Sequence, residues 1–398
     1  MNKAKFDTKE VLTRGVAEIL PSRAGLEKLM AKRKIKLYLG IDPSGFELHL
    51  GHSVVLRKLN QFAQLGHQVV LLIGNGTVKI GDPTGRDESR PMLTDEQIEA
   101  NFKTWKKQAS KVLDFAKIEI RYNGDWLDKL TMVEVIKLTA KTTVQQLIER
   151  DMFQERIKNG QPIHGHEILY PLLQGYDSVA MDVDLELGGT DQTFNMMMGR
   201  TLLKSYKNKE KWVLTTPIID GTDGRKMSKS YGNFVGLTEN PIDMYGKLMR
   251  IADNLIIEYF LLLTDIHSGE IARMDKAMRA GDNPMTFKKL LALTITEQYH
   301  STKEAEKAQE HFEQTIQQKQ VSSEAEEIKK SILFGKPAFA MVSLVSGASN
   351  SQARRLIEQG GTALLPSNKK ITDPNELIDL ENVDAIRVGK RKIYKLVD

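Results

Sequence analysis

The chain has 398 residues, 57 Lys+Arg against 52 Asp+Glu, 40% hydrophobic residues and no cysteine. A single core stops growing near roughly 250–300 residues, so two or three domains are expected. Without cysteine, a disulfide framework, a thiolate zinc site, an iron–sulfur cluster and a cysteine nucleophile are excluded, and the cytoplasm is the expected compartment. The formal net charge of +5 is a small difference between large totals, so any basic binding surface has to be local.

Residues 1–20 mix Lys3, Lys5, Asp7, Glu10 and Glu18 with short apolar stretches. They read as an amphipathic helix and carry neither a signal nor a transit peptide. The strongest apolar run, Val69 to Ile73, is far below the roughly 20 residues that span a bilayer, so no membrane crossing is expected. Lys36 to Ile41 reads as a strand, Asp42-Pro43-Ser44-Gly45 as a turn, Gly51 to Leu65 as a helix closed by Gly66, and Gln68 to Ile73 as the next strand. That is a βαβ unit. Further strands are expected at Ile118 to Tyr122, Val183 to Leu187 and Val213 to Thr215, giving an α/β fold with a doubly wound parallel sheet over 1–236. A helical insertion occupies about 127–182, and its charged part, Leu127 to Arg156, is the candidate dimer contact. Strand signals stop after Gly236, and 237–327 reads as an α-helical domain. Lys336-Pro337 marks a boundary before a small α+β domain at 338–398.

Two strings carry chemistry. The first runs from Tyr38 through Gly40, Asp42 and Ser44 to His49-Leu50-Gly51-His52. It sets two histidines three apart at a helix start, with a glycine between them that leaves room for a ligand. Free backbone N–H groups and positive potential at such a terminus suit a phosphate. Capping or core histidines are the competing reading. The second string, Lys226-Met227-Ser228-Lys229-Ser230, follows Gly221, Asp223 and Gly224. Two lysines on a hinged loop can follow phosphate charge as it moves, although alone the string also fits a solvated loop. Their order in the sheet brings both to its carboxyl edge, where nucleotides bind.

Taken together, the strings resemble the paired signatures of class I aminoacyl-tRNA synthetases, and their surroundings resemble the bacterial tyrosine-specific members over essentially the whole chain. The resemblance implies a Rossmann-like catalytic domain, an anticodon-arm helical domain and an S-four-like RNA-binding C-terminus. It implies activation of tyrosine by ATP accompanied by Mg2+, transfer to tRNA(Tyr), and a homodimer. Ser44, His49, His52, Lys226, Lys229 and Ser230 would stabilise the reacting phosphate. Gly40, Asp42, Gly51, Gly189, Asp191 and Met227 would join His49, His52 and Lys229 around ATP. Tyr38 and Asp177 match the pair that holds the substrate phenol. Asp82, Tyr170 and Gln174 match the amino-group site, and Gln192 a contact near the reacting carboxylate. Tyr170, Gln174 and Asp177 also share one helix face by spacing alone. A helix cap is the competing reading of Asp191.

Arg86 and Arg90 align with cationic residues that meet pyrophosphate, and equally fit solvated surface arginines. In the C-terminal segment, Ser351 is expected to cap a helix presenting Arg354 and Arg355 to RNA phosphate, with Lys390, Arg391 and Lys392 on a later basic strand. A phenol site lined by buried polar groups leaves them unpaired when phenylalanine enters, a discrimination for which tyrosine-specific synthetases are themselves the usual illustration. Two departures, Met227-Ser228 in the middle of the loop with Ser230 at its end, and Ser44 in place of threonine, point to the second bacterial branch. The alternatives are a tryptophan-specific relative, for which Tyr38 with Asp177 is ill suited, a small nucleotidyltransferase, and a non-catalytic RNA-binding paralogue.

Overall fold

The computed structural model describes residues 7–43, 47–82, 93–317, 326–367, 369–389 and 392–397. They fall into two compact units, Met1–Tyr299 and His300–Asp398. The first opens with α1 (Thr8–Val11), β1 (Glu18–Leu20), α2 (Arg23–Lys32), β2 (Lys36–Ile41), α3 (Leu50–Gln64) and β3 (Gln68–Ile73). It continues through α4 (Asp95–Ala109), β4 (Ile118–Tyr122), α5 (Gly124–Leu127), α6 (Met132–Thr139), α7 (Val144–Ile148), α8 (Asp151–Lys158) and α9 (Gly165–Met181). β5 (Leu185–Gly189), α10 (Thr193–Lys207) and β6 (Trp212–Thr216) complete the sheet. Then come α11 (Pro241–Leu248), α12 (Ile256–Leu263), α13 (Ser268–Arg279) and α14 (Pro284–Tyr299).

The expected parallel sheet is present, in the order β1-β6-β5-β2-β3-β4. β2 to β6 pair in parallel, and only β1 runs against its neighbour β6. The central strands, β3 above all, are near-continuous apolar runs, as in sheets covered on both faces. Leu37, Leu39, Val69, Leu71, Leu187 and Leu214 are all buried. The amphipathic helix expected over residues 1–20 is not what forms: among the described residues a single turn, Thr8–Val11, is followed by an edge strand. Glu18, Ile19 and Leu20 find their partners in Thr215, Leu214 and Val213, pairing that no local pattern announces. The strand expected at Val183 to Leu187 begins two residues later, because Asp182 closes α9 in the left-handed conformation with φ 52°.

Two buried cations tie the N-terminal segment to this unit. Lys58 on α3 donates to the carbonyls of Val11 and Arg14 at 2.8 and 2.7 Å. The Arg14 guanidinium donates to the carbonyls of Phe260, Leu261 and Thr264 at 3.1, 2.8 and 2.6 Å, closing the C-terminal end of α12. A helix end left with free carbonyls is a natural place for a cation.

The second unit contains α15 (Thr302–Phe312), β7 (Glu326–Lys329), α16 (Lys330–Leu333), α17 (Ala338–Ser346), α18 (Asn350–Glu358), β8 (Thr362–Leu365), β9 (Lys369–Lys370), β10 (Ala385–Val388) and β11 (Lys392–Val397). Its sheet runs β7-β11-β10-β8-β9, so the segment just before Lys336-Pro337 joins it. Met341, Val342, Ile357 and Ile386 lie in its core. Ser349, rather than Ser351, caps α18, its hydroxyl accepting from the Gln352 N–H at 3.3 Å. The helix already begins at Asn350, which leaves Ser351 inside it.

Candidate active site

β2 and β5 are neighbours, yet the chain leaves them toward opposite sides of the sheet, β2 to β3 and β4, β5 to β6. Their carboxyl ends therefore frame the crevice in which doubly wound sheets bind ligands. The turn after β2 carries Asp42, the turn after β5 carries Gly189, Asp191 and Gln192, and the chain leaving β6 leads to Lys226–Ser230. The two strings are also joined by backbone. Leu50 N–H donates to the Val235 carbonyl at 2.9 Å, and Leu237 N–H to that of Leu48 at 2.9 Å.

His49 stands at the N-cap of α3 and its ring lies 3.9 Å from that of His52. His52 Nδ1 accepts from the His49 backbone N–H at 3.2 Å, so the neutral ring carries its proton on Nε2. The capping reading is thus correct for one nitrogen and leaves the other for a ligand. Burial, then His52 and Lys229, push His49 down to about 2. The surrounding protein, then Lys229, push His52 down to about 4. At neutral pH both rings are hydrogen-bonding groups, not cations. Gly51 is where it is because a Cβ would come within 3.0 Å of the His49 ring, and Met227 Sδ sits 3.8 Å from the same point.

The lysine loop is a tight hairpin. Gly221 N–H donates to the Arg225 carbonyl at 2.7 Å and Met227 N–H to that of Ile219 at 3.0 Å. Lys226 pairs with Asp191 at 3.2 Å, so Asp191 meets a cation and caps no helix. Lys229 and Ser230 are exposed, and partial burial lowers the pKa of Lys229. Gly189 ends β5, where a Cβ would come 2.7 Å from Asp191 Oδ1, and Gly40 lies in β2, where a Cβ would meet the Tyr38 ring at 3.7 Å.

Asp42, expected beside ATP, accepts from Thr77 Oγ1 at 2.7 Å and from the Tyr170 hydroxyl at 2.9 Å. Gln192 Nε2 donates to Asp82 at 2.9 Å, and Asn195 Nδ2 donates to Gln192 Oε1 at 2.9 Å. Asp177 is 2% exposed. Burial drives its carboxyl well above the ordinary range, opposed by hydrogen bonds from Trp126 and Asn123. Those run from Trp126 Nε1 at 2.8 Å and Asn123 Nδ2 at 3.2 Å. Tyr38 is fully buried, its hydroxyl 3.0 Å from Ser178 Oγ. Gln174 reaches Glu186 at 3.3 Å.

The structure brings His49, His52, Gly51, Met227 and Lys229 together, as it does Tyr38, Asp42, Asp82, Tyr170, Gln174, Asp177 and Gln192. Ser44, Arg86, Arg90, Lys390 and Arg391 lie outside the described residues. In the second unit Arg355 and Lys392 are exposed, while the Arg354 guanidinium stacks 3.8 Å from the Phe339 ring centroid and donates to Asn375 at 3.0 Å. Sequence reasoning missed Thr77, Asn123, Trp126, Ser178, Glu186, Asn195, Lys211 and Asn233. Only Glu186 left a signal: a carboxylate inside an otherwise apolar strand requires a partner. Among the described residues no group of three or more metal-ligating side chains could hold a metal ion. None of their helices is long and apolar enough to cross a membrane.

Residues 30–317 match the model of the tRNA synthetases class I (W and Y) family. The tyrosine–tRNA ligase of Thermotoga maritima is 44% identical over 393 residues, covering 97% of this chain and 96% of that protein. The tyrosine–tRNA ligase of Aquifex aeolicus is 43% identical over 388 residues, with 97% of each chain covered. A truncated mitochondrial tyrosyl-tRNA synthetase from Aspergillus nidulans shares the fold with a TM-score of 0.65 at 20% identity, covering 77% of this chain and 93% of that one. The tyrosyl-tRNA synthetase of Archaeoglobus fulgidus complexed with L-tyrosine does so at 0.60 and 21% identity, covering 76% and 99%. The chain belongs to the class I tRNA synthetases for tryptophan and tyrosine.

Proposed function

We propose that this chain is a tyrosine–tRNA ligase, which activates tyrosine with ATP to tyrosyl adenylate and then transfers the tyrosyl group to the terminal ribose of tRNA(Tyr). The observation that carries tyrosine over tryptophan is the buried Asp177 carboxylate, held by Trp126 and Asn123 on the same cluster as Tyr38. It is an acceptor suited to a phenol hydroxyl, and an indole in its place would present a differently placed donor.

In the first step a tyrosine carboxylate oxygen attacks the α-phosphorus in line, the bond to the bridging oxygen breaks, and pyrophosphate departs with that electron pair. The nucleophile is already ionised, so no general base is required. Catalysis is positioning and stabilisation of phosphate charge. His52 Nε2–H and the His49 ring supply neutral donors beside the α3 N-terminus, while Lys226 and Lys229 supply mobile positive charge, with Ser44 and Ser230 alongside. Lys226 releases Asp191 as ATP enters, freeing that carboxylate for ribose hydroxyls. Mg2+ arrives with ATP as part of the substrate. Tyr170 and Asp82 meet the amino group, and Gln192 the carboxylate.

Residues 237–327 serve the anticodon arm and 338–398 bind RNA through Arg355 and Lys392. A second copy of the chain covers the face of α6 and α7, where Met132, Val133, Ile136 and Val144 are each more than half exposed. ATP–pyrophosphate exchange with each amino acid in turn tests the central claim. Exchange supported by tryptophan instead of tyrosine, or by no amino acid, refutes it.

A further inference from the structure

Behind the Tyr38 hydroxyl lies a buried ion pair that the reaction described above does not use. Lys211 is fully buried, and its ammonium donates to Ser178 Oγ at 2.7 Å, to the Met196 carbonyl at 3.1 Å and to Glu186. The other Glu186 oxygen accepts from Gln174 at 3.3 Å. The packing makes room for this arrangement. Gly175 on α9 faces Gly199 on α10, and a Cβ on Gly199 would land on the Lys211 ammonium and 2.7 Å from Ser178 Oγ.

The network has a direction. An ammonium has three protons and no lone pair, and here all three protons are committed. Ser178 is therefore an acceptor from Lys211, and its own proton is free to point at the Tyr38 oxygen 3.0 Å away. With that oxygen accepting from Ser178, the Tyr38 proton turns away from Ser178. It is directed to Glu186, with which it shares a hydrogen bond and whose oxygens also accept from Lys211 and Gln174. A phenol oxygen held at Asp177 gives that proton a second acceptor, one that phenylalanine lacks. The phenol hydroxyl then donates a hydrogen bond to Asp177, and its oxygen accepts one from the Tyr38 hydroxyl.

We propose that Lys211 and Ser178 are positioning residues for amino-acid specificity, orienting the Tyr38 hydroxyl as a donor to the side-chain oxygen of the substrate. The inference rests on the tyrosine reading given above. It differs from a purely structural role in one respect: phenylalanine has no oxygen for Tyr38 to address, so only the tyrosine reaction should feel the relay.

The test is kcat/KM for tyrosine and for phenylalanine in ATP–pyrophosphate exchange with the full chain. Tyrosine-dependent exchange by the unmodified protein establishes the reading first, and its absence would overturn that reading rather than the relay. Ser178→Ala is expected to lower the tyrosine-to-phenylalanine ratio about tenfold, the worth of one hydrogen bond, with the KM for ATP unchanged. Ser178→Thr, which restores a hydroxyl, is expected to recover most of the ratio. In a Tyr38→Phe background, Ser178→Ala should change it no further. If Ser178→Ala does not fold, Ser178→Cys, with similar volume and a weak donor, carries the same comparison. An unchanged ratio, an equal loss for both amino acids, or a full effect in the Tyr38→Phe background overturns the proposal.

Discussion

The lysine loop is pinned by one side chain, and removing it should cost rate without costing substrate binding. Asn233 is 3% exposed. Its Nδ2 donates to Asp223 Oδ1 at 2.6 Å and to the carbonyls of Arg225 and Lys226 at 3.1 Å each, while its Oδ1 accepts from the Ser228 N–H at 2.8 Å. Each such bond contributes about 0.5–1.5 kcal/mol net. The loop lies at the surface, so water can replace part of what Asn233→Ala removes, and the loosening should come to about 2–3 kcal/mol. If the lysines act only when the hairpin is formed, kcat for adenylate formation falls about 30- to 150-fold. The KM for tyrosine should not move, because Asn233 touches nothing at that end of the cleft. Asn233→Asp should be worse than alanine, since it sets a carboxylate against Asp223 and two carbonyls. Single-turnover adenylate formation gives the rate constant of that step, and amide exchange over residues 221–233 reports the loosening directly. An unchanged rate, a loss confined to the tyrosine KM, or alanine costing more than aspartate would refute the reasoning.

Trp126→Phe keeps a ring but removes the donor to Asp177, and kcat/KM for tyrosine should fall about tenfold or more, as for a hydrogen bond to a charged group. Because Trp126 opposes the burial that raises Asp177, its loss raises that carboxyl further, and the acid limb of the pH profile for kcat/KM moves to higher pH; an unmoved limb contradicts the assignment. The Arg156–Glu167 pair is buried on both sides. Arg156→Met should therefore cost about 3–5 kcal/mol and a clear drop in Tm, with Arg156→Met/Glu167→Met regaining much of it. His67, which accepts from Ile35 N–H at 3.2 Å, is pushed down to about 4 by burial and then Lys34. The unfolded chain takes up that proton near pH 6.5 and the folded chain only near 4, so this group withdraws stability as pH falls through that window. His67→Asn should flatten the loss of Tm between those pH values. Ile136→Asp on the exposed face of α6 should shift sedimentation toward the monomer, and an unchanged coefficient would move the contact elsewhere.

The strands and the two strings were legible because each is local. Lys36–Ile41 and Gln68–Ile73 form as read, since a short apolar run bounded by turn residues carries its own signal. The edge strand Glu18–Leu20 has only three residues and owes its existence to Val213–Thr215, so nothing near it could announce it. The same holds in the site. A buried Asp177 implied partners, but Trp126 and Asn123 lie 51 and 54 residues away. Lys211 stands 33 residues from Ser178 and sits beside Trp212 at the start of a strand, where charge normally means solvent. Such partners are chosen by the topology of the sheet, which places distant strand ends side by side.

That topology also explains how the two halves of the cleft keep their spacing. Asn123, on the turn after β4, donates from Nδ2 to both Thr77 Oγ1 at 3.0 Å and Asp177 at 3.2 Å, and accepts from the Gly76 N–H at 2.8 Å. Its amide is fully committed and can adopt only one orientation. Thr77, on the turn after β3, donates its hydroxyl hydrogen bond to Asp42 on the turn after β2, and Asp42 also accepts from the Tyr170 hydroxyl. Gly74 permits this closeness, because a Cβ there would collide with Asp42 and Thr77. Asp177 on α9 and Asp42 after β2 are therefore fixed to one hydrogen-bonded frame that crosses three strand ends. A reaction that depends on an in-line approach gains most from a cleft whose two ends cannot drift apart. Here the rigidity comes from uncharged side chains placed between two carboxylates that would otherwise repel each other.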